Sequence, residues 1–146
     1  YPLDTTFYQC VKGMVSCLPA LKTGGEIIAI GSCSEGTGSG EYTEMMINYS
    51  GDYRRFIKDI RQGAYIKDQW QYQMHTKAIE KTGMEQLHFF TSGLSQEILA
   101  SMSVTPHAHP VDEIRTQLQE IVDRAAVSGR QIAVFPEGPY CVPVAG

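Results

Sequence analysis

The sequence has little charge to offer a polyanion. Only 19% of its 146 residues are charged, and 16 acids outnumber 12 bases to leave a net charge of −4. Because the two signs are interspersed there is no basic face, so neither nucleic acid nor anionic lipid is an expected partner. No apolar run approaches the roughly 18–20 residues that cross a bilayer, and a soluble, cytoplasmic chain is expected. The four cysteines (Cys10, Cys17, Cys33, Cys141) contain no C-x-x-C pair, and there is no Gly-x-Ser-x-Gly elbow, no zincin helix and no convincing pair of carboxylates. The cysteines therefore read as free, mostly buried thiols rather than as disulfides or a metal cage. Also missing are an initiator methionine and a polar leader. The chain opens with Tyr1-Pro2-Leu3-Asp4 almost on top of its first helix, as expected for part of a longer polypeptide.

The 42% hydrophobic content is that of a globular domain, and 146 residues can bury a core of useful size. Asp4, Thr5 and Thr6 are helix-capping residues, and Phe7, Val11, Met14, Val15 and Leu18 then recur at helical spacing. Gly24-Gly25 breaks the chain before an apolar strand over 26–30. A small-residue loop, Gly31 to Gly40, leads into helices expected over 41–49, 52–61 and 67–81. A strand is expected over 86–91, a helix over 95–102, a short strand within 103–109, and a long helix from Pro110 to about Val127. The apolar run Gln131 to Phe135 reads as the last strand, and Cys141 to Val144 as a further extended segment. Strands alternating with helices predict an α/β fold in three layers: a mostly parallel sheet of about 3–5 strands with helices on both faces. Residues 1–146 then form a single domain. Ligands of such folds meet the loops at the carboxyl ends of the strands, which here are the loop at Gly31 and the one at Pro136.

Four features could carry chemistry. Gly36-Thr37-Gly38-Ser39-Gly40 follows a strand and precedes a helix, as a phosphate-cradling turn does. It is neither a G-x-G-x-x-G nor a P-loop, however, and a tight turn that lets the backbone approach a neighbour is the plainer reading. Gln9 and Lys12 are three apart on the first helix and share a face, where an ammonium beside an amide suits a small carboxylate; a solvated helix face is the plainer reading. The lone tryptophan, Trp70, is by composition a core anchor, but its polar flanks (Gln69, Gln71) would equally suit a pocket wall. His107-Ala108-His109 places two imidazoles on one side of an extended segment, a sparse start for a metal site with no third ligand nearby, while His75 and His88 stand alone.

Taken in order, Tyr1-Pro2-Leu3-Asp4, Tyr8-Gln9-x-x-Lys12, Gly24-Gly25-Glu26-Ile27-Ile28, Cys33-Ser34-Glu35-Gly36-x-Gly38, Gln69-Trp70-Gln71 and Pro136-x-Gly138-Pro139 resemble the C-terminal domain of the nickel-pincer-dependent lactate racemase family along nearly the whole chain. The resemblance implies a two-domain enzyme that inverts the hydroxyl-bearing carbon of a 2-hydroxy acid by hydride abstraction and return. It implies a nickel pincer nucleotide and acid–base histidines on an N-terminal domain outside this chain, with this domain closing over them as partner. It further implies that Gln9 and Lys12 contact substrate and that Tyr8 and Trp70 line the site. None of His75, His88, His107 and His109 falls on a motif of the family's catalytic histidines, so no catalytic residue and no metal ligand is expected here. These 146 residues alone are expected to be inactive. A free-standing module that binds a small anion at the Gly/Ser loop, or docks a protein partner, is the alternative, followed by a nucleotide-using enzyme built on the Gly36 loop.

Overall fold

The computed structural model describes residues 3–63, 65–141 and 143. Six helices and three strands follow in the order α1 (Phe7–Ser16), β1 (Ile27–Ile30), α2 (Gly40–Asn48), α3 (Tyr53–Arg61), α4 (Gln69–Thr82), β2 (Leu87–Thr91), α5 (Gln96–Ala100), β3 (Thr105–Ala108) and α6 (Val111–Val127), with short 3-10 turns at Leu18–Ala20, Met84–Gln86 and Gly138–Tyr140. The starts are fixed by side chains that replace missing backbone acceptors. Thr6 accepts from Gln9 N, Ser39 from Tyr42 N, Asp52 from Arg55 N and Ser95 from Ile98 N. Pro110 stands one position outside α6 rather than at its first turn.

The sheet is parallel throughout, in the order β1-β2-β3, with Ile27 opposite Leu87 and His88 opposite Thr105. Alternation along β2 separates its two faces. Phe89 points to α1, its ring edge-on to Phe7 at 4.9 Å. Phe7, Val11 and Met14 of α1, Tyr42 and Met46 of α2, Phe56 of α3 and Tyr72 of α4 complete the core there. Phe90 points the other way, stacked on His107 at 4.1 Å, and α6 packs against β2 with Ile114 as its buried residue. This is the three-layer α/β arrangement expected from the sequence. The open edge at β3 is closed by one side chain: Gln96 accepts from Ala108 N (3.0 Å) and donates to Pro106 O (3.2 Å), doing for that edge what a fourth strand would do. Among the described residues no helix is long and apolar enough to cross a membrane.

One expected strand is absent. Gln131 to Phe135 forms no ladder, and Ile132 and Val134 are 50% and 76% exposed. Its start is moored beside the chain entering β1, where the Arg130 guanidinium bonds Glu26 and Gly24 O, and Lys22 donates to Gln131. Apolar alternation marks a segment that suits a sheet, but a strand also needs a paired neighbour, and none of the described residues supplies one. Of the extended tail expected after Cys141, Val142 and Val144 lie outside the described residues.

The loops at the carboxyl ends of β1 and β2 cross at Gly93. Thr91 Oγ1 donates to Ser32 O (3.1 Å) and accepts from Gly93 N, and a Cβ on Gly93 would stand 2.2 Å from Ser32 O. Backbone on both sides leaves no flexible group to give way. Gly93→Ala is therefore expected to cost at least about 2 kcal/mol in urea denaturation, the range for forced overpacking.

Candidate functional site

The Gly/Ser loop after β1 serves as a buckle for α1. Its Gly36 and Thr37 carbonyls accept from Phe7 N (3.1 Å) and Tyr8 N (3.0 Å), two of the amides that a helix N-terminus leaves unpaired. Its own amides at Cys33, Glu35 and Gly36 donate to Asp4 O, Thr5 O and Cys33 O. A phosphate cradle needs free N–H groups facing outward. Here the loop presents carbonyls to a helix, and three of the donors that a phosphate would use are already bonded. These bonds favour the tight turn over a nucleotide cradle at this loop. Gly38, at φ +136°, is required for close approach, because a Cβ there would meet Tyr8 Cβ at 2.9 Å.

This buckle sets the rotation of α1 and so the direction of Tyr8, Gln9 and Lys12. The Tyr8 ring lies edge-on to Tyr42 (5.0 Å) and to Trp70 on α4 (5.8 Å, 90°), and its carbonyl accepts from Gln71 Nε2 at 2.6 Å. Burial, and after it the charge of Asp68, pushes the Tyr8 phenol above its ordinary value, so it stays protonated near neutrality. Lys12 Nζ donates to Gln9 Oε1 at 2.6 Å. Accepting that bond turns the Gln9 amide so that its NH2 is left to donate, and two ammonium protons remain. No carboxylate among the described residues pairs with Lys12.

Between α1 and α4 lies a recess of about 210 Å³ lined by Lys12, Val15, Ser16, Trp70, Gln71 and Met74. That is below the ~300–1,000 Å³ of drug-sized sites and suits a small metabolite. Two of the four residues expected from the sequence, Lys12 and Trp70, line it directly. The other two flank it, Gln9 by its bond to Lys12 and Tyr8 by its ring against Trp70. At 48% exposed, Trp70 is a wall and not a core anchor. The structure adds Val15, Ser16, Gln71 and Met74. Their signal was helical spacing: Val15 and Ser16 stand three and four residues from Lys12, and Met74 four from Trp70. The closing Pro136-x-Gly138-Pro139 motif supports α1 from behind, with the Pro139 ring over Gly13 and Ser16 Oγ bonded to Gly138 O.

The histidines are dispersed. His88 Nδ1 shares a proton with His107 Nε2 (3.0 Å), and burial lowers the proton affinity of both. His109 turns instead to Glu113 at 3.2 Å. His75 is buried in the core between Phe7 and Tyr72. No group of three or more His, Cys, Asp or Glu among the described residues is placed to hold a metal ion. All four cysteines are free thiols.

Fold and recess define the class: a three-layer α/β domain with an apolar recess opening beside a lysine that has no carboxylate partner among the described residues. A model of the family described as lactate racemase C-terminal domain matches residues 1–142, and the chain belongs to that family. It is 29% identical over 141 residues to the lactate racemase of Thermoanaerobacterium thermosaccharolyticum, covering 94% of this chain and 31% of that protein. The structure of the lactate racemase apoprotein from the same organism superposes on 84% of this chain and 29% of its own at a TM-score of 0.65 and 28% identity. The chain thus spans about a third of the length of the relatives it matches.

Proposed function

We propose that this chain is the C-terminal, substrate-gripping domain of a two-domain cytoplasmic racemase or epimerase of 2-hydroxy acids, whose N-terminal domain carries a nickel pincer nucleotide. The observation that carries the reading is Lys12: a cation with no carboxylate partner among the described residues, steadied by Gln9 at the mouth of a metabolite-sized recess. A substrate carboxylate placed there meets two free ammonium protons and the Gln9 NH2, a charge-assisted set of donors. The same donors stabilise negative charge that grows on the substrate during reaction. Trp70 and Tyr8 exclude water, which protects a hydride-transfer step from side reactions. The pincer nucleotide, when bound, supplies the hydride acceptor. The likeness to lactate racemase supports a nickel pincer nucleotide for the whole enzyme, and we place it on the N-terminal domain.

The rival reading, an anion-binding module centred on the Gly/Ser loop, has fewer donors to draw on, because the amides of Cys33, Glu35 and Gly36 are already bonded. The racemase reading predicts a division of labour. Incubated with one enantiomer of a 2-hydroxy acid and followed by chiral chromatography, the complete nickel-loaded polypeptide produces the other enantiomer, and the isolated 146 residues produce none. Racemisation by the isolated chain would overturn the assignment of chemistry to the other domain. Inactivity of the complete, nickel-loaded polypeptide on every 2-hydroxy acid would overturn the racemase reading itself.

A further inference from the structure

The recess behind Lys12 has a chemical character that its overall polarity does not suggest. Of its six lining residues, Ser16 and Gln71 are polar by type, yet the Ser16 hydroxyl proton and the Gln71 amide are already bonded within the domain. Ser16 Oγ has its one proton committed to the carbonyls of Gly13 and Gly138. Gln71 donates to Tyr8 O at 2.6 Å through Nε2, and its Oε1 is sealed from solvent. What remains is one ammonium at the rim and an apolar lining of Val15, Trp70 and Met74.

From this we infer that the substrate is a 2-hydroxy acid whose substituent is apolar, a branched aliphatic or aromatic group larger than a methyl, and not a polyhydroxy (sugar) acid. The inference rests on the racemase reading above and concerns the same site. A carboxylate held at Lys12 directs the rest of the molecule along Val15 and Met74. Several hydroxyl groups entering there would lose water and find no side-chain donor beyond Lys12 and one acceptor, Ser16 Oγ. A methyl group would leave most of the recess empty, whereas a branched or aromatic group would displace its water against carbon and sulfur. The Met74 side chain is unbranched and adapts to either shape, and the exposed Trp70 face suits a ring.

The test uses the complete cofactor-loaded enzyme and four single-enantiomer substrates: lactate, 2-hydroxy-4-methylpentanoate, 3-phenyllactate and gluconate. Expected is a kcat/KM on the two apolar acids at least about tenfold above lactate, and about a hundredfold above gluconate, in keeping with the worth of a methylene or an unpaired polar group in a pocket. Met74→Gln, close in shape but polar, should then lower kcat/KM on the apolar acids by about tenfold, mainly through KM, and lower it less on lactate and gluconate. Val15→Thr, a smaller polar change on the other helix, should act in the same direction and guards against a folding defect in the first variant. The inference is overturned if lactate or gluconate is the best substrate, or if both variants depress all four acids equally. Isomerisation of none of the four, by enzyme shown to hold nickel, would overturn the racemase reading, and this inference with it.

Discussion

Lys12→Ala in the complete enzyme is expected to reduce kcat/KM for its 2-hydroxy acid by at least about 30-fold, equivalent to about 2 kcal/mol of transition-state binding. The side chain projects from the middle of α1 between the buried Val11 and the half-buried Val15, held at 2.6 Å by Gln9 and opposed by no carboxylate among the described residues. Removing it takes away charge and donors together and leaves the helix, whose buried stripe is Phe7, Cys10, Val11 and Met14, with its packing unchanged. Thermal unfolding of the variant should accordingly stay close to that of the parent. Lys12→Arg keeps the charge but replaces a compact ammonium with a longer planar fork. It should recover only part of the loss. A rate unchanged by Lys12→Ala, measured on folded protein, would remove this residue from the site.

The second large effect concerns stability and acid. His75 is fully buried against Phe7 and Tyr72, and neither of its ring nitrogens has a partner among the described residues. Burial pulls its proton affinity down from 6.5 to about 3. Above pH 6.5 the ring is neutral in folded and unfolded chains alike, and the native state keeps its full stability. Between pH 6.5 and about 3 the unfolded chain takes up a proton that the native state refuses. Stability is then lost progressively as pH falls, by on the order of 4 kcal/mol. That is a large part of the ~5–15 kcal/mol by which domains are stable. His88 and His107, lowered by burial as well, add to the loss in the same direction. Substitution His75→Leu separates the contributions. It removes two unbonded polar atoms and should raise stability at pH 7 by about 1–2 kcal/mol, and it should flatten much of the acid limb in urea titrations between pH 6.5 and 4. An acid limb unaltered by His75→Leu would show that this ring is hydrogen-bonded or solvated in solution.

The sheet and helices were largely legible because most of them are self-declaring. Phe7 to Met14 shows helical spacing behind a Thr cap, and Leu87 to Thr91 is an apolar run bounded by turns, so local chemistry and tertiary position agree. The failures lie where a segment depends on a distant neighbour. Gln131 to Phe135 has strand composition but no strand beside it among the described residues, and Gly36 to Gly40 has the composition of a phosphate loop while its Gly36 and Thr37 carbonyls serve α1. The site was half legible for the same reason. The pairing of Gln9 and Val15 with Lys12 follows from helical geometry alone, whereas Gln71 and Met74 become neighbours of Lys12 only when α4 is laid against α1. Trp70 could not be placed from composition, since a lone tryptophan serves as core or as wall. The ring of Tyr8, itself fixed by Gly38, decides the question.

The central claim is that the α1–α4 recess grips the substrate, and a crystal structure of the complete enzyme with a bound 2-hydroxy acid tests it most directly. The account predicts a carboxylate oxygen within about 3 Å of Lys12 Nζ, the Gln9 amide beside it, and the substituent against Trp70 and Met74. A ligand seated instead at the Gly31 to Gly40 loop, with Lys12 free in solvent, would contradict it.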